Sequence, residues 1–296
     1  MSRPAPAGQT LPVQPGLGHS AGNAGRPAAA LSGWCGSLRG ALHAEWTKLR
    51  TLPGTIWLLA GIAVATVGVS VAAVAATRCP GGTCFTDTTK LSLTGVQFGQ
   101  AVVAILAVTA FCNEYSTGMI RITLAATPRR SAVLAAKAVI TGVLVLVAGT
   151  AGVLGSVLAG RLLLPGNGFT PANGNPLLSL AHGPTLRAAA GSVLYLALIA
   201  LLSMGVAALL RDSAVATGVM LALLYLAPIL VAIMVHSPHW QHRLDRWAPT
   251  IAGLTIQDTT NLRNLAISPW GGLGVLALWA AGALLAGGLV LHRRDA

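Results

Sequence analysis

The stretch NEYSTGMIRITLAATPRRSAVLAAK, Asn113–Lys137, gathers Glu114, Arg121, Arg129, Arg130 and Lys137 in a chain of which only 9% is charged. Charge at that density can do two things. It can hold a loop on one side of a membrane, or it can grip an acidic partner or an anionic lipid. On a helix beginning near Glu114, residues Glu114, Gly118 and Arg121 share a face. Thr127-Pro128 is a helix start, with Thr as N-cap and Pro at the first helical position. Arg129 and Arg130 then fall in the first turn. That is the wrong end of the helix dipole for cations, costing about 0.3–1 kcal/mol each when exposed. Local helix stability does not account for these arginines; a topology anchor or an acidic partner does.

A second basic segment is LRGALHAEWTKLRTLPGTIW, Leu38–Trp57. Leu38, Leu42, Trp46 and Leu49 recur at helical spacing. Arg39, Glu45, Lys48 and Arg50 lie mostly away from that stripe. The pattern predicts an amphipathic helix on a membrane surface, with Trp46 at the headgroup level. Pro53-Gly54 ends it.

Two smaller constellations could carry chemistry. RCPGGTC places Cys79 and Cys84 about a turn-forming Pro-Gly-Gly spacer. A disulfide suits an outer loop; two unpaired thiols or a metal site are the alternatives. HSPHWQH spaces His236, His239 and His242 three apart. Pro238 interrupts them and no Cys or Glu adjoins. Interfacial histidines beside Trp240 therefore outweigh a metal site, and no metal ligand is assigned. Cys35 and Cys112 receive no role.

The elements that must position these residues follow from composition. Hydrophobic residues make up 54% of the 296 residues and mean hydropathy is +0.71. Soluble domains run near 25% charged. A chain this apolar is expected to be an all-α polytopic membrane protein. Six apolar stretches approach the roughly 20 residues a bilayer core requires. They are Ile56–Ala76, Val96–Cys112, Ala138–Leu158, Ala188–Leu210, Ala214–Val235 and Gly271–Leu291. Gln97 and Gln100 weaken the second, and the third could continue through Leu164 with a tilt. Residues 1–37, rich in Pro, Gly and Ala, read as a disordered cytoplasmic tail. Residues 38–296 form the membrane domain.

Of the 19 Lys and Arg residues, twelve fall in the N-terminal tail, 113–137, the 211–213 turn and the C-terminal tail. Seven fall in the other loops. The bias places both termini in the cytoplasm and the cysteine pair outside. The net charge of +12 is scattered among loops, not gathered on one face, so nucleic acid is not expected as a partner. No G-x-x-x-x-G-K-[ST] phosphate loop and no H-E-x-x-H occurs. No cofactor and no catalytic cluster is expected. No acidic residue lies near the centre of a span, which weakens a proton-coupled carrier.

The two basic segments together carry a resemblance. AEWTKLRTLPGTIWLL, followed by NEYSTGMIRITLAATPRRSAVLAAK, strongly resembles the permease subunits of ABC-2 type ABC transporters, particularly actinobacterial ones. With the six-span layout, the resemblance takes in most of the chain after Leu38. It implies that Glu45, Trp46, Lys48 and Arg50 belong to a connecting helix. It implies that Glu114, Tyr115, Gly118, Arg121, Thr127, Pro128, Arg129 and Arg130 belong to a coupling loop that meets an ATPase. It further implies two permease subunits, alike or different, with two nucleotide-binding subunits in a cell membrane. Short helices in the 236–270 loop are a further implication. The expected function is the membrane half of an ABC exporter. The alternative is a membrane protein without an ATPase, such as a small secondary carrier or a scaffold. The Thr, Ser and Gly of the spans favour hydrophobic or amphipathic cargo over ions.

Overall fold

A computed structural model describes residues 53–79, 86–116, 130–173, 175, 177–234 and 238–293, with Leu42 alone before them. The N-terminal tail and the connecting helix lie outside the described residues. Among those described, the protein is helical without strands. Six helices are long and apolar enough to cross a membrane. They are α1 (Pro53–Ala76), α3 (Val96–Ser116), α4 (Arg130–Leu163), α5 (Gly183–Leu210), α6 (Ser213–Met234) and α9 (Pro269–Arg293). Three short helices join them: α2 (Thr88–Ser92), α7 (Pro238–Trp247) and α8 (Pro249–Leu254). The chain is a multi-pass membrane protein.

Helix α5 is the hub. It packs against α9, α3, α4 and α6, while α1 packs against α4 and α3. More than half of the most apolar stretch of α5 is buried (56%), against 11% for α6. Lipid tails are as apolar as leucine, so spans associate through close van der Waals contact rather than by escaping water. Small residues supply that contact. A Cβ added at Gly205 would lie 2.6 Å from the backbone of Ala283 and Leu284; one at Gly287 would lie 2.7 Å from Ala208 Cβ. Two facing pairs of small residues thus let α5 and α9 touch backbone to backbone.

The helices alternate direction, and the loops sort to opposite ends. At one end meet 77–79, 86–95, the described residues of 164–182 and the described part of the connection before α9. There Asn167 Nδ2 donates to the Val74 carbonyl at 2.8 Å, and the Cys79 N–H donates to the Asn167 carbonyl at 2.9 Å. Gly168 is needed in this contact. Its φ of 92° is left-handed, and a Cβ would strike the Cys79 carbonyl at 2.3 Å. At the opposite end lie the last turn of α3, the start of α4, the tight turn at Arg211-Asp212 and the end of α9. Asp212 caps α6 there, its Oδ1 accepting from the Val215 N–H at 2.8 Å. Arg211 holds a left-handed C-cap conformation and reaches the Val290 carbonyl at 3.4 Å.

Two helices outrun their apolar stretches. α3 continues through Glu114 to Ser116, so no new helix begins at Glu114 as the residue pattern suggests. α4 begins at Arg130, eight residues before its apolar run, and ends at Leu163. Its 34 residues span about 50 Å at 1.5 Å per residue. A hydrocarbon core is only about 30 Å thick, so α4 tilts or projects from the membrane. Lys137, on this projecting part, is not a free loop charge: it is buried and donates to the Ala110 carbonyl at 3.4 Å.

Replacing Gly205 with Val should force α5 and α9 apart. We expect a loss of roughly 1–3 kcal/mol, the usual cost of overpacking. Gly274→Ala, inside α9 where a Cβ meets nothing within 4 Å, should not destabilise and should gain up to about 1 kcal/mol. Thermal melting of the purified protein in detergent checks both.

Candidate functional site

The long connection before α9 does not stay on the surface. Its α8 and the 3₁₀ turn Thr255–Gln257 sink into the bundle, with Thr250, Ala252, Ile256 and Gln257 all buried. Glycines make room. A Cβ at Gly272 would lie 1.9 Å from the Ala252 carbonyl, and one at Gly191 would lie 2.0 Å from Ile256. A buried turn must find partners for its polar groups. Gln257 Nε2 donates to Ser192 Oγ of α5 at 3.0 Å.

Beside this inserted turn is a layer of polar side chains from four elements. The Tyr195 hydroxyl of α5 donates to Gln100 Oε1 of α3, and the Tyr225 hydroxyl of α6 donates to the Gln97 carbonyl. Tyr225 reaches α3 from an irregular stretch. α6 widens into a π-helical turn at Ala222–Leu226, just before Pro228. Proline has no N–H to give residue 224 and its ring crowds that carbonyl, so a wider turn relieves both faults. Thr250 lies against Tyr195, and its buried hydroxyl makes no hydrogen bond of normal geometry.

Between α3, α6 and the inserted turn lies a cleft of about 550 Å³. Gln97, Gln100, Tyr225 and Thr250 supply hydrogen-bonding groups, and Leu224, Ile229, Ile251 and Leu254 supply apolar wall. Lys90, Asp245 and Asp258 also line it. About half of its lining residues are polar or charged and the rest apolar, so the cleft presents both kinds of surface.

The outer edge of the cleft is tied by charge. Lys90 Nζ meets Asp258 Oδ1 at 2.7 Å, and Arg187 Nη2 donates to the Asp258 carbonyl at 2.6 Å. Next to them Asp87 gathers donors from two segments. Its carboxylate caps α2 through the Lys90 N–H (3.0 Å). It also accepts from the Thr259 N–H (2.6 Å) and hydroxyl (2.7 Å) and from the Thr260 N–H (3.1 Å). Burial alone would raise the pKa of Asp87, but the hydrogen bonds from Lys90, Thr259 and Thr260 outweigh it. They hold the carboxyl below the usual carboxylate range. A second, hydroxyl-rich cleft of about 420 Å³ adjoins this strap, lined by Asp87, Thr89, Thr185, Thr259 and others.

The coupling-loop residues that are described lie apart from the cleft. Glu114 and Tyr115 fall in the last turn of α3, and Arg130 opens α4, both at the end opposite the inserted turn. Gly118, Arg121, Thr127, Pro128 and Arg129 lie outside the described residues, as do Glu45, Trp46, Lys48 and Arg50 of the connecting helix. Cys79 is buried and disulfide-bonded. Cys84 lies outside the described residues, as does the histidine stripe in part; Cys112 is free. The cleft residues Tyr195, Tyr225 and Thr250 carried no sequence signal beyond being polar in apolar surroundings. Gln97 and Gln100 did stand out, as faults in the second span.

A family model described as "ABC-2 family transporter protein" matches residues 41–229. That covers the basic bridge 113–137, most of the first basic segment, four of the six spanning helices and the greater part of a fifth, α6. The chain belongs to the ABC-2 transporter family. It is therefore a multi-pass permease subunit of an ABC transporter. Among curated proteins nothing matches the chain.

Asp87 yields a pH prediction. Its ionised form is favoured by folding, so its contribution is complete above the unfolded pKa, about 3.9, and is lost as pH falls through the lower folded value. Asp87→Asn would present an amide to N–H donors. Allowing for partial exposure, we expect about 1–2 kcal/mol lost at neutral pH. The melting-temperature gap between the two proteins should hold above about pH 5 and close below about pH 4. A gap independent of pH would count against the carboxylate.

Proposed function

We propose that this chain is the membrane half of an exporter for hydrophobic or amphipathic cargo, driven by a separate ATPase chain and paired with a second permease subunit, alike or different. The observation that carries this reading is the family match across 41–229, which takes in the basic bridge and most of the first basic segment. The chain has no phosphate loop, so nucleotide chemistry falls to the partner. The cleft between α3, α6 and the inserted turn is the candidate cargo site. Its amides and hydroxyls, with Lys90, Asp245 and Asp258, beside leucine and isoleucine suit a molecule with one polar and one apolar part.

The permease sits in the cell membrane with residues 1–37, both termini and 113–137 in the cytoplasm. The inserted turn and the Cys79 loop face outward. Twelve of 19 Lys and Arg residues on the inner segments support this orientation. Glu114, Tyr115, Gly118, Arg121, Thr127, Pro128, Arg129 and Arg130 dock in a groove of the ATPase. Glu45, Trp46, Lys48 and Arg50 brace that contact from the connecting helix. Arg129 and Arg130 sit where a helix dipole repels them, which an acidic partner surface would offset. Cys84 is the partner of Cys79, since Cys112 is free and Cys35 belongs to the cytoplasmic tail.

Three measurements test these statements. Labelling of Ser131→Cys by a membrane-impermeant reagent in intact cells would reverse the orientation; we expect none. Mass spectrometry of the unreduced protein should find the Cys79–Cys84 peptide pair. In the assembled transporter, Glu114→Ala or the pair Arg129→Ala and Arg130→Ala should leave membrane insertion intact and lower cargo-stimulated ATP turnover about tenfold or more, as loss of a charge-assisted contact worth about 1.5–3 kcal/mol predicts. Variants that insert, bind the ATPase and turn over like the parent would reduce the basic bridge to a topology anchor.

A further inference from the structure

We propose that the exposed face of α7 seats an anionic glycerophospholipid, with Arg243 and Arg246 on its phosphate. Trp240, Leu244 and Trp247 recur at i, i+4 and i+7, so they share one face of α7. All three remain exposed, at 58%, 38% and 63%. The place of this face decides what covers it. The Trp247 carbonyl accepts a hydrogen bond from the Trp279 indole N–H at 3.1 Å. Trp279 stands about 15 Å along α9 from its start at Pro269. α9 is a spanning helix, and Leu278, Trp279 and Leu285 on it are themselves exposed. The C-terminal end of α7 therefore stands within the thickness of the bilayer, and lipid covers its apolar face.

The arginines select the lipid. The Arg243 guanidinium lies 5.7 Å from the centroid of the Trp240 ring, and Arg246 Nε donates to the Ala266 carbonyl at 3.1 Å. Both side chains are exposed, and among the described residues no carboxylate pairs with either. Asp245, the acidic residue between them, lines the cleft on the other side of the helix. A cation at this depth must be neutralised or must reach toward the headgroups. A phosphate diester matches the fork of a guanidinium and sits at the level where indoles concentrate. Two positive charges with no carboxylate partner among the described residues favour a headgroup of net negative charge over a zwitterionic one, whose own ammonium would face them. This inference rests on the membrane placement of the helices and is independent of the exporter reading and of the ATPase.

The test uses the full chain in vesicles of mixed phosphatidylglycerol and phosphatidylcholine, with bromine on the acyl chains of one lipid or the other. The reporter is the tryptophan emission that disappears in Trp240→Phe/Trp247→Phe. Brominated phosphatidylglycerol should quench this emission about two- to five-fold more than brominated phosphatidylcholine. Arg243→Gln/Arg246→Gln should bring that ratio to about one as the surface charges are removed. Absence of quenching by either lipid would mean that water or a second protein surface covers the face, and overturns the proposal. Equal quenching in the parent chain overturns the choice of an anionic headgroup. Phosphatidylglycerol kept through detergent purification, read by mass spectrometry of the intact protein, gives a readout that needs no tryptophan replacement. Equal retention by the parent and Arg243→Gln/Arg246→Gln also overturns it.

Discussion

Backbone contact between α5 and α9 at Gly205–Ala283 and Ala208–Gly287 is the constraint on which the rest depends. In lipid the spans gain little by hiding apolar surface from one another, so their association comes from how closely they approach. Side chains of one carbon or none allow the approach. Once α5 and α9 are seated, the space above them is fixed by the same device. Gly191 on α5 and Gly272 on α9 leave the slot that receives Ile256 and Ala252. A larger residue at either position would fill the slot and exclude the inserted turn. The polar cleft is thus a consequence of small-residue packing, although none of the small residues lines it.

The inserted turn shows how non-helical backbone can lie inside a membrane bundle. Its polar groups are met by protein, not by lipid: Gln257 by Ser192, Asp258 by Lys90 and Arg187, Thr259 and Thr260 by Asp87. These ties come from α2, α5 and the strap near the outer edge, so the turn is held from several directions. Most of them are hydrogen bonds to a charged group, stronger than neutral ones. The exception is the Thr250 hydroxyl, which lies against Tyr195 with no partner at normal hydrogen-bond geometry. A buried polar group left in this state at the wall of a cleft is where a ligand would gain most by supplying the missing partner.

The spans were legible because a run of apolar residues has few alternatives in a chain of this composition. Their ends were less so. Helical hydrogen bonding does not stop where hydropathy falls, and α3 and α4 continue into polar sequence at Asn113–Ser116 and Arg130–Lys137. The cleft was hidden for a different reason. Tyr195 and Gln100 lie 95 positions apart, each isolated in an apolar stretch. Only the packing of α3 on α5 makes them a pair. Gln97 and Gln100 registered as blemishes in a span, which is how a functional polar residue in a membrane looks before its partner is known. The inserted turn follows from glycines whose role depends on what approaches them, and no local pattern announces that. The basic bridge is the reverse case: its residue pattern was conspicuous, while most of it lies outside the described residues.

Site and bridge lie at opposite ends of the bundle, and α4 joins the two levels. It starts at Arg130 beside the bridge and ends at Leu163, where Leu164 and Phe169 pack with Val74 and Cys79. Its 34 residues are continuous. Such a rod transmits displacement but carries no information by itself, since coupling needs an element with two arrangements that both ends bias. The π-turn of α6 has the form of such an element. Pro228 weakens the helix there, the Tyr225 hydroxyl bonds it to α3 at the Gln97 carbonyl, and the helix around it is among the least buried in the bundle. Its end capped by Asp212 lies beside the last turns of α3, near Cys112; its middle lines the cleft.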